Sequence, residues 1–481
     1  MSKVLRLERL EKKIRPQSTG GLNAGLLIFS VVSLLIYTQP ASALPSLSPR
    51  IDQNSVKIGL QTNTYLTHTA GTVSEERIGN FGLKAGARGQ HQGSILAVEG
   101  ETSVLLGLRK ANYRYISVPE AFASTLNPNY KVRVGRHLET WSSLDDYWTL
   151  GLWQPRFRWD YLEEETQGLT GVFFTYYEPE AEVPVHLTLF GTPISIPEQS
   201  APFDIVNGNC KTSSPWFDCP ASSVIIFNQP TEIKYRLDIP PISSLVSNWG
   251  AGAALRLGSE NSTFARFSYA YKPMNQVLLA YEGRLDLSTL ALPAVIHPRI
   301  VYHEIATLEG GHRFANGFRV LASITKERPI RDYTPPDWNT QEAAPAWISG
   351  ILARLPVSKH TSFEASVLHR DGGNAEDQGQ FVGQVGSVFE PRYSFHNALS
   401  ATVRSSIMES WIPYFLSSAR FVWDHDFDGN ILSTDFRFLP QRPLRFQVGF
   451  DILGSRATSN VDFIARYQRN DRIRGGVEYV F

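Results

Sequence analysis

Apolar and polar residues alternate with a period of two through the C-terminal half of this 481-residue chain, and this pattern constrains its fold more than any other feature. Leu444, Phe446, Val448, Phe450 and Ile452 interleave with Arg445, Gln447, Gly449 and Asp451. Leu432, Thr434, Phe436 and Phe438 interleave with Ser433, Asp435 and Arg437, and Phe318, Val320, Ala322 and Ile324 with Arg319, Leu321, Ser323 and Thr325. Val461, Phe463, Ala465 and Tyr467 read the same way against Asp462, Ile464, Arg466 and Gln468. A period of two is a strand signal. A soluble sandwich also alternates, but aromatics gathered at strand ends suit the two girdles of a bilayer. No long apolar run follows Tyr37. A chain without hydrophobic helices can still cross a membrane as a closed barrel, because closure satisfies every backbone group. The expectation is an all-β protein: a transmembrane antiparallel β-barrel of about 18 to 22 strands, each of ~9–11 residues.

The first 43 residues are set apart. Lys3, Arg6, Arg9, Lys12, Lys13 and Arg15 precede an apolar run from Ala24 to Tyr37, and Ala41-Ser42-Ala43 offers a small-residue cleavage site. That order reads as a secretory signal peptide, residues 1–43. The run is shorter than the ~20 apolar residues of a spanning helix, which argues against an uncleaved anchor. Residues 44–481 would be the barrel. The whole chain balances 46 basic against 46 acidic residues. Removing the basic leader leaves a slightly acidic chain, which excludes a nucleic-acid surface. Cys210 and Cys219 are the only cysteines. Export would put them in an oxidising compartment, where a disulfide is expected, with two free thiols as the alternative.

The last nine residues run Ile473-Arg474-Gly475-Gly476-Val477-Glu478-Tyr479-Val480-Phe481. They are similar to the terminal strand of Gram-negative outer-membrane proteins, with Tyr479 and Phe481 as the assembly signal that the resemblance implies. Pro119–Ala123, Asn127–Asn129 and Val132–Arg136 make a strand, a tight turn and a strand ending in Gly-Arg. That hairpin resembles the early hairpin of bacterial porins, and Gly168–Gly171 adds to the likeness. The resemblance implies location in the bacterial outer membrane, folding by the barrel-assembly machinery, contact with outer-membrane lipid, passage of small solutes, and often a homotrimer.

The strand phase turns Arg319, Arg420, Asp435, Arg437, Arg445, Asp451, Asp462, Arg466, Arg474 and Glu478 inward. Arg133 of the early hairpin joins them as a pore-lining candidate. A charge on the lipid face would cost ~2–4 kcal/mol at mid-membrane, so a wet lumen is where these groups belong. Two readings stay open: a conducting pore, or mixed charges that neutralise and pack the lumen. Arginine far exceeds lysine, and guanidinium suits anionic or polyhydroxylated solutes. Trp141, Tyr147, Trp148, Trp153, Trp159 and Tyr161 read as an interface girdle in preference to a stacking row in the pore.

Short turns are read at Gly454–Ser459, Asp428–Asn430, Glu390–Ser394, Pro356–Thr361, Phe314–Phe318 and Lys272–Gln276. Longer connections include Glu327–Pro345 and the proline-rich Thr192–Pro230, read as an outer loop. The strand phase fails between Arg136 and Pro184, by one strand too many or too few. Asp424, Asp426, Asp428 and Asp435 have a calcium-loop spacing with Gly429 at the bend, although an Asp-Gly hairpin turn explains the same residues and is preferred. No cofactor is expected. No G-x-S-x-G occurs, and His303-Glu304 is followed by Thr307 where a zinc protease needs histidine. The function expected is a non-enzymatic, porin-like channel for small polar or anionic solutes. The alternatives are an exporter or assembly factor for surface polysaccharide or lipid, and a barrel hydrolase using His303, His369 or His425.

Overall fold

The computed structural model describes residues 55–481 apart from 67–77, 94–95, 109–113, 128, 213, 218, 221, 227, 284–290, 331–334, 336–337, 374, 378–391, 408–414, 442 and 457–462. The leader and Asp462 therefore lie outside the described residues. Eighteen antiparallel strands form one sheet. The first, Ser55–Tyr65, pairs with the last, Arg472–Val480, placing Ile58 opposite Tyr479. That pairing closes the sheet into a barrel with no free edge.

Side chains alternate across the wall as the sequence pattern requires. In the strand Thr263–Pro273, Phe264, Arg266, Ser268, Ala270 and Lys272 are buried on the inside, while Phe267 and Tyr269 are exposed outside. Ile351, Val367, Leu399, Val448, Ile452 and Val477 continue the exposed apolar face. Large apolar side chains on the outside of a closed sheet, with charge on the inside, are the arrangement of a barrel solvated by lipid.

The two rims differ. At one, strands connect through 93–95, 126–129, 179–184, 259–262, 314–318, 357–360, 408–414 and 442–443. At the other, the connections include 138–168, 193–249, 274–301, 330–345, 373–396 and 456–471. Above this loop rim, segments of the long connections assemble a six-stranded sheet from Ser223–Ile226, Gln229–Leu237, Leu278–Gly283, Ala291–Arg299, Asn339–Ala343 and Ala375–Asp377. Cys210 and Cys219 form a disulfide in the 193–249 connection.

Several expectations are corrected. Lys272–Gln276 leads into the long connection 274–301, Arg392–Ser394 belongs to the connection 373–396 while Glu390 and Pro391 lie outside the described residues, and Gly454 and Ser455 still belong to the strand Leu444–Ser455. Phe463–Tyr467 is a short helix, so Arg466 sits on a helix and not on a barrel strand. All five of its residues are buried. Cover on every side removes the polar face that would distinguish a helical from a strand period. The failed strand phase between Arg136 and Pro184 also has a cause. Residues 138–168 contribute no barrel strand, because they fold into the lumen.

Candidate functional site

Residues 138–168 leave the strand Tyr130–His137 and return to the strand Leu169–Glu178, its immediate neighbour, with His137 opposite Leu169. Between these two points the chain builds a small body inside the barrel. A helix, Ser143–Trp148, starts where Ser142 Oγ accepts from Asp145 N–H at 3.3 Å and stops at Thr149 in the left-handed region, φ 51°. The Asp145 carboxylate then accepts the N–H groups of Leu152 at 3.1 Å and Trp153 at 3.2 Å, which folds the chain back on itself. From the wall, Glu309 accepts Ser143 N–H at 2.8 Å and Ser143 Oγ–H at 2.9 Å. A carboxylate at a helix N-terminus satisfies free amides and complements the dipole.

The aromatic residues of this segment form its core, and this overturns the girdle expectation. Trp141, Trp148, Trp153 and Tyr161 are all buried inside the barrel, with Trp141 stacked on Trp153 at 5.5 Å. The wall accommodates them with small hydroxyl residues. Trp153 Nε1–H donates to Thr307 Oγ1 at 3.0 Å, Trp148 Nε1–H to Ser366 Oγ at 2.9 Å, and Tyr147 O–H to Ser400 Oγ at 3.2 Å. Ser268 Oγ–H donates to the Trp141 carbonyl at 2.8 Å. Ser268 lies opposite Thr307, Thr307 opposite Thr325, and Ser366 opposite Ser400. Short side chains leave room for indole rings, and their hydroxyls pair buried N–H and C=O groups that would otherwise be costly.

Three ion clamps fasten the loops to the wall and to each other. Arg472 is held by Asp160 and, through Nε at 2.7 Å, by Asp451; Arg474 is held by Glu163 and, at 2.9 Å, by Asp451. Arg156 and Arg158 share Glu164 and Glu198, with Arg158 Nε to Glu164 at 2.8 Å and Arg156 Nε to Glu198 at 3.0 Å. This second clamp ties the lumen segment to the 193–249 connection. Glu327 of the wall accepts from Arg392 Nη1 at 2.6 Å and Tyr393 O–H at 2.8 Å, and contacts His303 Nδ1. The third clamp holds the 373–396 connection. His303 is fully buried, with its carboxylate neighbour already engaged.

Burial pushes the Glu163 carboxyl up, but Arg474, Arg472 and Lys84 outweigh it and hold it at about 2. Burial likewise opposes ionisation of Glu198, and Arg156 and Arg158 overcome it, keeping its pKa below the ordinary 4.5. Carboxyls depressed in the folded state contribute stability that is complete above the unfolded value and lost as pH falls through the folded one. The Glu163 and Glu198 ion pairs are therefore expected to hold at neutral pH and to loosen as pH drops from 4.5 toward about 2. Tryptophan emission from the lumen segment should shift to the red over that window while the barrel's β-sheet signal persists. A flat emission profile there would contradict the clamp assignment.

At the short-turn end the inward side chains are open to solvent. Arg88, Arg354, Arg404 and Arg437 have side chains 45–55% exposed, all turned inward. Arg88 pairs with Glu101 at 3.9 Å and Arg437 with Asp435, while the acids beside the other arginines are shared. Glu364 serves both Arg354 at 2.6 Å and Arg404 at 3.0 Å. Glu260 serves Arg256 and Arg266, each at 2.5 Å, and Arg319 at 3.7 Å. Several guanidiniums to one carboxylate leave a surplus of positive charge. A cavity of about 150 Å³ lies here, lined by Glu139, His186, Thr188, Arg256, Glu260 and Arg266.

The residues singled out from sequence divide between these places. Arg319, Asp435, Arg437, Arg445 and Glu478 face the solvent-open end, with Arg437 on Asp435 at 2.7 Å and Arg445 on Glu478 at 3.7 Å. Arg133 also faces inward and donates to Thr175 Oγ1 at 2.9 Å. Asp451 and Arg474 belong to the first clamp, and Arg420 lies against the rings of Tyr147 and Trp148. Tyr479 and Phe481 are exposed, with ring centroids 4.7 Å apart. Asp424 accepts the N–H groups of His396 and Asp426, Asp426 contacts His396, Asp428 occupies a turn at φ 46°, and Asp435 is paired down the strand. These four carboxylates do not converge, and among the described residues no group of three or more His, Cys, Asp or Glu could hold a metal ion. Sequence reasoning missed Arg88, Arg354, Arg404, Arg472 and the charged residues on 156–164. Arg354 was findable, since it sits on the phase opposite Trp347 and Ile351. The others on 156–164 carry no strand period.

No family model and no curated protein matches the chain. Solved structures similar to it include Acinetobacter baumannii OccAB4, at 11% identity and TM-score 0.44 over 89% of this chain and 98% of that one. Acinetobacter baumannii OccAB3 gives 10% identity and TM-score 0.45 over 90% and 100%. Escherichia coli Wzi, described as an outer-membrane protein involved in group 1 capsule assembly and a carbohydrate-binding β-barrel, gives 11% and 0.45 over 89% and 85%. The closed sheet and its apolar outer face place the chain in the bacterial outer membrane, where transmembrane barrels of this kind reside.

Proposed function

We propose that this outer-membrane barrel is a porin-like channel for small polar or anionic solutes, with residues 138–168 as its constriction. The observation that carries the reading is the surplus of exposed guanidinium groups around the lumen. Such a lining concentrates anions and repels cations through the summed field, an effect that salt screens. Barrels of 16 to 18 strands are wide enough to enclose an aqueous path, and the inward segment narrows it. On the same reading, residues 1–43 are a cleaved leader, Tyr479 and Phe481 are read by the barrel-assembly machinery, and the barrel works as a homotrimer.

The test is reversal potential across a potassium chloride gradient in a planar bilayer. The channel is expected to prefer chloride, and the double substitution Arg88→Gln with Arg437→Gln is expected to move the reversal potential toward potassium. Both side chains are about half exposed, so the barrel should retain its fold. Cation preference in the unsubstituted protein would overturn the proposal. The density of packing around Trp141 and Trp153 favours a second reading, a barrel closed at rest that serves surface polysaccharide or lipid assembly. A folded, inserted and electrically silent protein would bring that reading forward.

A further inference from the structure

The stretch Ile239-Pro240-Pro241-Ile242-Ser243-Ser244-Leu245-Val246-Ser247-Asn248-Trp249 links the sheet above the loop rim to the barrel strand Gly250–Gly258. It contains no charged residue. At its upper end Asp238 N–H donates to the Ile296 carbonyl at 2.9 Å, within the upper sheet. At its lower end Trp249 meets two outward-facing barrel tyrosines, Tyr271 at 5.2 Å and Tyr302 at 6.3 Å, which stack on each other at 5.2 Å. That ring cluster marks the loop-side edge of the lipid belt, where aromatic side chains collect. Between these ends the chain makes one short helix, Ile242–Val246, none of whose residues is buried. Ile239 is 66% exposed, Ile242 75% and Trp249 59%. Ser195 N–H donates to the Val246 carbonyl at 2.8 Å, bringing exposed Ile194 to the same side.

The exposed side of this connector sets Ile239, Pro241, Ile242 and Trp249 beside Ser243, Ser244 and Ser247, with no charge among them, and large apolar side chains held out in water are unfavourable. Each exposed isoleucine forgoes much of the free energy that burying its side chain would contribute. Trp249 joins the foot of the connector to the lipid-facing belt through its contacts with Tyr271 and Tyr302. We propose that residues 239–249 lie in the outer leaflet, with Ile239 and Ile242 among acyl chains, and moor the upper sheet to the bilayer. The occupant of this face is lipid, and a second copy of the chain is the competing occupant.

Nitroxide labelling of Ile242→Cys in the full chain, refolded into phosphatidylcholine vesicles, tests this. Phe267→Cys on the barrel's lipid face and Glu232→Cys on the upper sheet serve as the lipid and water references; both parent side chains are about half exposed. The ratio of oxygen to nickel-chelate collision rates at 242 is expected to match that at 267 and to exceed that at 232. A ratio matching 232 would put the segment in water and overturn the proposal. Shielding from both reagents would also overturn it and would put a protein surface there. If the label at 242 disturbs folding, Ile239→Cys carries the same test.

Discussion

Replacing residues 140–166 with a short glycine–serine linker is expected to raise single-channel conductance on the order of tenfold, since 18 strands enclose an aqueous bore once nothing fills it. The excision leaves the wall intact. His137 and Leu169 already face each other across adjacent, hydrogen-bonded strands, so the linker needs only to turn a hairpin. The wall residues that lose partners include Glu309, Thr307, Ser366, Ser400, Ser268, Arg472 and Arg474. In the open bore these groups meet water, which removes the penalty that stranding them in a dry interior would impose. Planar-bilayer recording checks the result, with heat-dependent gel mobility confirming that a folded barrel is present. Unchanged conductance in a folded barrel would mean that residues 138–168 do not set the constriction.

Substituting Glu327 is expected to release the 373–396 connection. Arg392, Tyr393 and His303 converge on its carboxylate, and both Glu327 and His303 are fully buried. Glu327→Ala leaves the Arg392 guanidinium dry and unpaired, beside buried Lys272 and His303. Breaking such a pair from one side costs about 3–5 kcal/mol. The molecule can avoid most of that cost by letting the connection detach, so local opening is expected in place of global unfolding. Protease cleavage within 373–396 should accelerate strongly while the barrel resists heat as before. Glu327→Gln keeps the hydrogen-bonding shape and loses the charge, so its cleavage rate should fall between the two. Equal cleavage rates in all three proteins would show that the clamp does not hold the connection.

The wall was legible because it obeys a local rule. A strand with lipid on one side and water or packed polar groups on the other must alternate, so each segment announces its orientation without reference to the rest. The strands ending at Ser455 and Val480 and the one starting at Arg319 follow the phase read from their side chains. The inward placement of Arg319, Arg437 and Arg474 follows from the same rule.

What happens inside the barrel obeys no such period. Trp148 and Trp153 find their hydrogen-bond partners on strands more than a hundred residues away, in Ser366 and Thr307. Aromatics in a short irregular segment carry the same local signature whether they face a bilayer or a lumen, which is why the girdle expectation failed. Phe463–Tyr467 failed for a related reason, since a helix covered on all sides shows no polar face. The alternation of single residues by itself determined that this chain forms a membrane-spanning barrel and, along the strands of its wall, which side chains face inward. Only the tertiary structure decided that residues 138–168 fill that interior, because their partners are distant in sequence and become neighbours only when the wall closes.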